Sequence, residues 1–192
     1  MRTLNPLLAA IAVVVVATGA FVYSGAYDIG ADGRHWRLTE RLFATLRERS
    51  IQAHARRIER PDLDDAQLVA RGAKHYAAMC ADCHRAPGDD ESEMRAGLYP
   101  QPPDLSKGEA PNPGEAFWVI KHGIKMSAMP AWGASHEDDA IWALVAFITR
   151  LPRLSPAEYR AMSGATGAEC GHVHSRDTDM RGDSDSRQGD RS

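Results

Sequence analysis

A chain of 192 residues, 43% apolar and 26% charged, has room for one medium domain, or for a small domain with appendages. A formal net charge of −3 makes no demand for nucleic acid as a partner. Three cysteines are an odd number and fit poorly to a disulfide framework. The negative charge is concentrated in residues 66–152, where eight Lys/Arg face eleven Asp/Glu, a balance that favours a partner with a basic docking face.

From Leu7 to Tyr23 no residue is charged, and the run includes Ile11-Ala12-Val13-Val14-Val15-Val16. This is the short end of a membrane-spanning helix and long for the core of a signal peptide. Ser24-Gly25-Ala26 offers small residues suited to cleavage, so residues 1–25 read as an uncleaved anchor, with a cleaved signal as the alternative. Arg34, Arg37 and Arg41 follow the span and only Arg2 precedes it, the reverse of the positive-inside tendency.

Residues 26–63 read as a helical spacer. Leu38, Leu42, Leu46, Ile51, His54 and Ile58 recur at steps of three to five, with Arg41, Glu48, Arg49, Arg56 and Arg57 on other faces and Pro61 as the stop. Packing along the neighbouring domain is favoured over a basic helix on a membrane surface or a docking helix, because acidic residues interrupt the arginines. Asp64 or Asp65 caps a helix predicted over Ala66–Met79, with Leu68, Val69, Gly72 and Tyr76 on one face. A glycine inside a helix costs about 1 kcal/mol relative to alanine, so Gly72 points to the close approach of a second helix.

Cys80-Ala81-Asp82-Cys83-His84 follows. Cys-x-x-Cys-His is the spacing of a covalent c-type haem attachment: two thiols reach two vinyl groups, and the adjacent imidazole of His84 becomes the proximal iron ligand. A zinc site would need a second ligand pair, and a thioredoxin-like dithiol would sit near a βαβ pattern that this sequence lacks. With Cys80 and Cys83 used, Cys170 stands alone. Pro87, three residues beyond His84, is the candidate whose carbonyl would accept the imidazole N–H.

Gly97-Leu98-Tyr99-Pro100-Gln101-Pro102-Pro103-Asp104-Leu105 is too rich in proline for a regular element and reads as a loop. Gly114 to Gly123 reads as a short helix with Phe117, Trp118 and Ile120 inward. From Glu137 to Leu151, Ile141, Trp142, Leu144, Val145, Phe147 and Ile148 form a wide apolar stripe behind the acidic start Glu137-Asp138-Asp139, and Pro152 closes it. This helix is the candidate partner of Gly72. Past Pro152, Ser155-Pro156-Ala157-Glu158 starts one more short helix through Met162. The remainder of 153–192 has almost no apolar residues and reads as mostly disordered. Cys170, His172 and His174 in that tail raise a copper or zinc reading, against a solvated tail.

The helix with Gly72 and Tyr76, the Cys80/Cys83/His84 motif, Met129-Pro130, and the last helix with Leu144 and Phe147 occur in an order that resembles a bacterial mono-haem class I cytochrome c across residues 64–152. The resemblance implies an all-α fold around one covalent haem c, with the helices crossing at Gly72/Tyr76 and Leu144/Phe147. It also implies that the 97–105 loop covers a haem edge, with Tyr99 and Leu105 against the porphyrin. Of the methionines, Met129 is preferred to Met126 as the sixth ligand, because Met-Pro-Ala-aromatic is similar to the ligand loop of bacterial relatives; Met79, Met94 and Met162 lack such a loop. A His–Met pair raises the potential relative to two histidines and fills both axial positions. Trp118 and Trp132 are candidates to donate to a haem propionate or, equally, to pack, while His75, His122 and His136 are surface or capping residues. Attachment of haem outside the cytoplasm is part of the resemblance and outweighs the arginine count at the span.

The expected function is that of a membrane-tethered electron carrier on the periplasmic side of a bacterial inner membrane, or a soluble periplasmic one after cleavage. It would link a donor dehydrogenase or reductase to an acceptor oxidase. It is not an enzyme by itself, although it would suit the cytochrome subunit of an oxidoreductase complex. The alternatives are a haem protein whose tail handles metal and a haem-based gas sensor.

Overall fold

The computed structural model describes residues 4–89 and 92–164, and among these every regular element is helical. α1 (Leu4–Ser24) is apolar and exposed, and from Pro6 to Ser24 it is long and apolar enough to cross a membrane. Beyond it the linker folds back on itself. Tyr27 meets Trp36 edge-on at 5.0 Å and Phe21 lies 5.9 Å from the same indole. Tyr27 Oη and His35 Nδ1 are hydrogen-bonded at 3.0 Å.

α2 (Arg37–Ala55) stops well short of Pro61: Arg56 caps it, the chain turns, and Ile58 swings against the core. Its apolar stripe is divided. Leu38, Leu42 and Leu46 are exposed, at 81%, 64% and 62%, whereas the C-terminal half packs against α6 (Pro113–His122).

The centre of the fold is the crossing of α3 (Ala66–Met79) and α7 (Asp138–Ile148). Asp65 caps α3 by accepting from Gln67 N–H at 2.8 Å, while Asp64 pairs with Arg150 at 2.8 Å. Val69, Gly72, Ala73 and Tyr76 recur on one face and are buried. A Cβ on Gly72 would come within 1.9 Å of the Ala143 carbonyl oxygen, so the two backbones touch there. The acidic start of α7 suits the positive end of the helix and is used twice more: Asp139 pairs with Arg71 at 3.1 Å and Asp138 with Lys121 of α6 at 2.6 Å.

α7 ends at Ile148 rather than Leu151; Leu151–Arg153 form a 3-10 turn, because Pro152 has no N–H to carry the helix on. α8 (Pro156–Ser163) begins with a full capping box between Ser155 and Glu158 and buries Tyr159 near Tyr76 and Phe147. This is the short helix that the Ser155-Pro156-Ala157-Glu158 start predicts. Cys170, His172 and His174 lie outside the described residues.

Candidate haem site

Cys80 is the C-cap of α3, and its carbonyl receives the N–H of Cys83 (3.2 Å) and of His84 (2.8 Å). These bonds wind Cys80 through His84 into one tight turn, α4 (Ala81–His84). Arg85 then takes φ +66°, the left-handed region that side chains disfavour, and turns the chain away. Three contacts hold it there. Buried Tyr76 donates its hydroxyl to the Arg85 carbonyl, the Arg85 guanidinium donates to the Asp89 carbonyl at 2.8 Å, and Arg85 Nε lies 3.6 Å from the Asp104 carboxylate.

The same region clamps the proline-rich loop. His84 Nδ1–H donates to the Pro103 carbonyl at 3.0 Å, and Leu105 N–H donates back to the His84 carbonyl at 3.0 Å. Pro103, not Pro87, is therefore the imidazole's partner. A carbonyl can only accept, so the proton sits on Nδ1 and Nε2 keeps its lone pair. Burial, helped by the Arg95 charge, lowers the His84 pKa, and the bond to Pro103 works in the opposite sense. The ring is thus a neutral, oriented imidazole, as a metal ligand requires.

Burial, then the neighbouring Cys83, pushes the Cys80 thiol up to about 12. Burial and Asp82 raise Cys83 as well, against Arg95. Neither behaves as the low-pKa thiolate of a redox dithiol, and they form no disulfide. Among the described residues no group of three or more His, Cys, Asp or Glu is placed to hold a metal ion.

Cys80, Cys83 and His84 open into a cavity of about 570 Å3, within the range of pockets that enclose a whole cofactor. Its other walls are mostly apolar: Leu98, Leu105, Val119, Ile120, Leu144 and Ile148 among them. Met129 enters from the loop between α6 and a 3-10 turn at Trp132–Ala134. That loop is shaped by Gly123 at φ +65°, where a Cβ would strike the backbone of residues 129–131, and by Ile124 N–H bonding to the Met129 carbonyl at 3.1 Å. Met126 is 87% exposed and does not reach the cavity. Met79, next to Cys80, also lines it.

Of the side chains expected near the cavity, Tyr99 lies elsewhere, while Trp118 takes the packing alternative. Trp132 lines the cavity, but Trp118 does not: it is packed between His54 (5.1 Å, 28°) and His122 (5.1 Å, 40°) at the α2–α6 interface. Leu105 lines the cavity, whereas Tyr99 turns to the linker, accepting from His35 N–H at 3.3 Å and meeting its ring edge-on at 5.1 Å. His75 and His136 lie ring to ring at 5.9 Å, away from the cavity wall. Two lining residues, Arg47 and Ile51, come from α2, which the sequence marks only as a spacer. Ile51 belongs to the apolar stripe read from the sequence, and Arg47 falls four residues before it on the same helix face.

The donor set fits haem: two cysteines, an imidazole whose Nδ1–H is committed to Pro103, and a thioether all line one mostly apolar cavity of suitable size. Residues 67–148 match the family described as cytochrome c oxidase, cbb3-type, subunit III. No curated protein matches the chain. The matched segment is a c-type cytochrome domain, which implies a haem cofactor and a role in electron transfer, and an N-terminal apolar helix precedes it.

Proposed function

We propose that this domain is a mono-haem electron carrier, passing one electron at a time between redox partner proteins. Cys80 and Cys83 would hold a single haem c through thioethers, with His84 and Met129 as the axial ligands. When bound, that group supplies the one-electron ferrous–ferric couple. The observation that carries the reading is the convergence on one apolar cavity of both cysteines, Met129, and an imidazole whose Nδ1–H is committed to the Pro103 carbonyl.

In this reading each residue has a limited task. Cys80 and Cys83 prevent dissociation. The Pro103 carbonyl sets the plane of the His84 ring and raises its donor strength. Met129 favours the reduced state and leaves no open coordination position. Leu105, Val119 and Leu144 exclude water and keep the surrounding dielectric low. With both axial positions filled, oxygen activation is disfavoured and outer-sphere transfer favoured.

The chain would be organised as an anchor (1–25), a helical segment (26–63), the cytochrome domain (64–152) and a tail (153–192). α1 would hold the domain on the periplasmic side of the inner membrane, between a donor dehydrogenase or reductase and an acceptor oxidase, alone or within an oxidoreductase complex.

Intact mass and absorption of the full chain, made in a host that attaches haem c, test the assignment. One covalent haem resistant to acid–acetone is expected, and a colourless protein, or pigment that strips away, overturns it. Met129→Ala should lower the midpoint potential and let the ferrous protein bind carbon monoxide at neutral pH. Met126→Ala should change neither. The reverse pattern would move the ligand to residue 126.

A further inference from the structure

The cytochrome domain does not close the cavity by itself. α2 lies outside the matched segment 67–148, yet Arg47 and Ile51 form part of the cavity wall. The contacts that hold α2 there are specific. A Cβ on Gly114, in the first turn of α6, would already lie 3.4 Å from the Ala55 carbonyl oxygen. His54 stacks on Trp118, and Ile58, just past the helix, packs against the buried core.

Arg47 is half-buried, and among the described residues no hydrogen bond or ion pair engages its guanidinium. Arg85 is tied to Asp104 and Asp89, and Arg95, whose Nε and Nη1 are also without a hydrogen-bond partner, does not line the cavity. Around the cavity the remaining titratable groups are Glu115 on α6, His84 on α4, Tyr76 and the two thiols. Glu115 forms no ion pair with Arg47. At the α2–α6 contact stand His54, stacked on Trp118, and His122, tilted against the same indole. A cation without a partner at the edge of an apolar cavity calls for an anion that arrives with the occupant, because an unpaired charge next to apolar surface is costly. Haem brings two such anions, its propionate carboxylates.

We infer that α2 is part of the haem site: Ile51 completes the apolar wall and Arg47 is the cationic partner of a propionate. The inference rests on the haem reading above and adds to it that the cofactor pocket extends beyond the cytochrome domain. It predicts an electrostatic effect at the iron. A carboxylate neutralised by a fork-shaped guanidinium leaves less negative charge near the metal, so the ferrous state is less disfavoured. It also favours the ionised propionate and draws its titration to lower pH.

The test is equilibrium redox titration of the full haem-loaded chain across the acidic to neutral pH range. Arg47→Gln should lower the midpoint potential and move the pH-dependent limb upward in pH. Arg47→Lys should fall between Arg47→Gln and the parent, since a point charge replaces the bidentate fork. Arg49→Gln, an exposed position on the same helix, should superimpose on the parent. Arg47→Gln with covalent haem, unchanged potential and unchanged pH profile overturns the inference. If Arg47→Gln fails to retain haem, rescue by Arg47→Lys supports it. Loss in both variants together with loss of helical circular dichroism assigns Arg47 a structural role and overturns it. Absence of haem from the parent protein is a different outcome and refutes only the underlying reading.

Discussion

The two sides of the cavity are built in contrasting ways. The side that carries Cys80, Cys83 and His84 grows from the α3–α7 crossing, where Val69, Ala73, Tyr76, Ile141, Leu144 and Phe147 are buried and backbone meets backbone at Gly72. The opposite contribution comes from α2, which buries no residue fully and leaves Leu38, Leu42 and Leu46 in the open. On the proposed reading, attachment at Cys80 and Cys83 and ligation by His84 need fixed positions, and these residues follow directly from the rigid crossing. The α2 wall, which would meet the cofactor only by side-chain packing and charge, buries no residue fully, and its effects should appear in the redox behaviour before they appear in folding.

Substitutions can break that contrast. Gly72→Val should be the most damaging, because its side chain would overlap the Ala143 carbonyl and Phe147 Cβ, neither a flexible chain end. A loss of roughly 3 kcal/mol or more is expected in denaturant unfolding of the haem-loaded protein. A loss below 1 kcal/mol would mean that the crossing is looser than described.

Asp104 probes the loop between the two sides. Burial acts to raise its pKa, but hydrogen bonds from Ser106 and the charges of Arg85 and Lys107 prevail and hold the carboxyl below the ordinary value of 3.8. A depressed folded-state pKa contributes stability that is complete above the unfolded value and fades as pH falls through the folded one. Unfolding free energy measured against pH should therefore decline below about pH 4 in part through Asp104. Asp104→Asn should remove that part of the slope and cost roughly 1 kcal/mol at neutral pH. An unchanged acid limb would exclude the carboxylate as a pin of the loop.

The smallest effect is expected on the outer face of α2. Leu42→Ser alters a largely exposed side chain and should change stability by no more than about 0.5 kcal/mol. A larger loss would show that α2 is as integral to the core as α3.

What the sequence made legible follows the same division. Cys-x-x-Cys-His, the intrahelical Gly72 and the acidic start of α7 are local patterns whose geometry is nearly self-determined, and each is found where the pattern predicts. Met129 lies on the cavity wall and Met126 outside it, and the choice of iron ligand between them rests on the potential and carbon monoxide measurements proposed above. The errors concern directions set by tertiary packing. Which carbonyl His84 meets depends on the path of a proline-rich loop, and a carbonyl has no signature in the sequence, so Pro103 rather than Pro87 was not readable. Tyr99 is an aromatic residue of the loop beside the cavity, but His35, far away along the chain, engages it instead of the cavity. Arg47 was hidden for a related reason: in an amphipathic helix of mixed charge, one arginine among several looks like solvated surface.

The contact between Tyr99 and His35 has a consequence for how far the domain can travel. Gly25–Trp36 is a stretch of twelve residues that would reach about 40 Å if fully extended. Here it is folded back by the edge-on contact of Tyr27 with Trp36 and hydrogen-bonded to the loop beside the cavity. With α1 lodged in a bilayer, the domain is a short bracket rather than a leash. Its partners would then have to approach it sideways, within the layer just above the lipid headgroups.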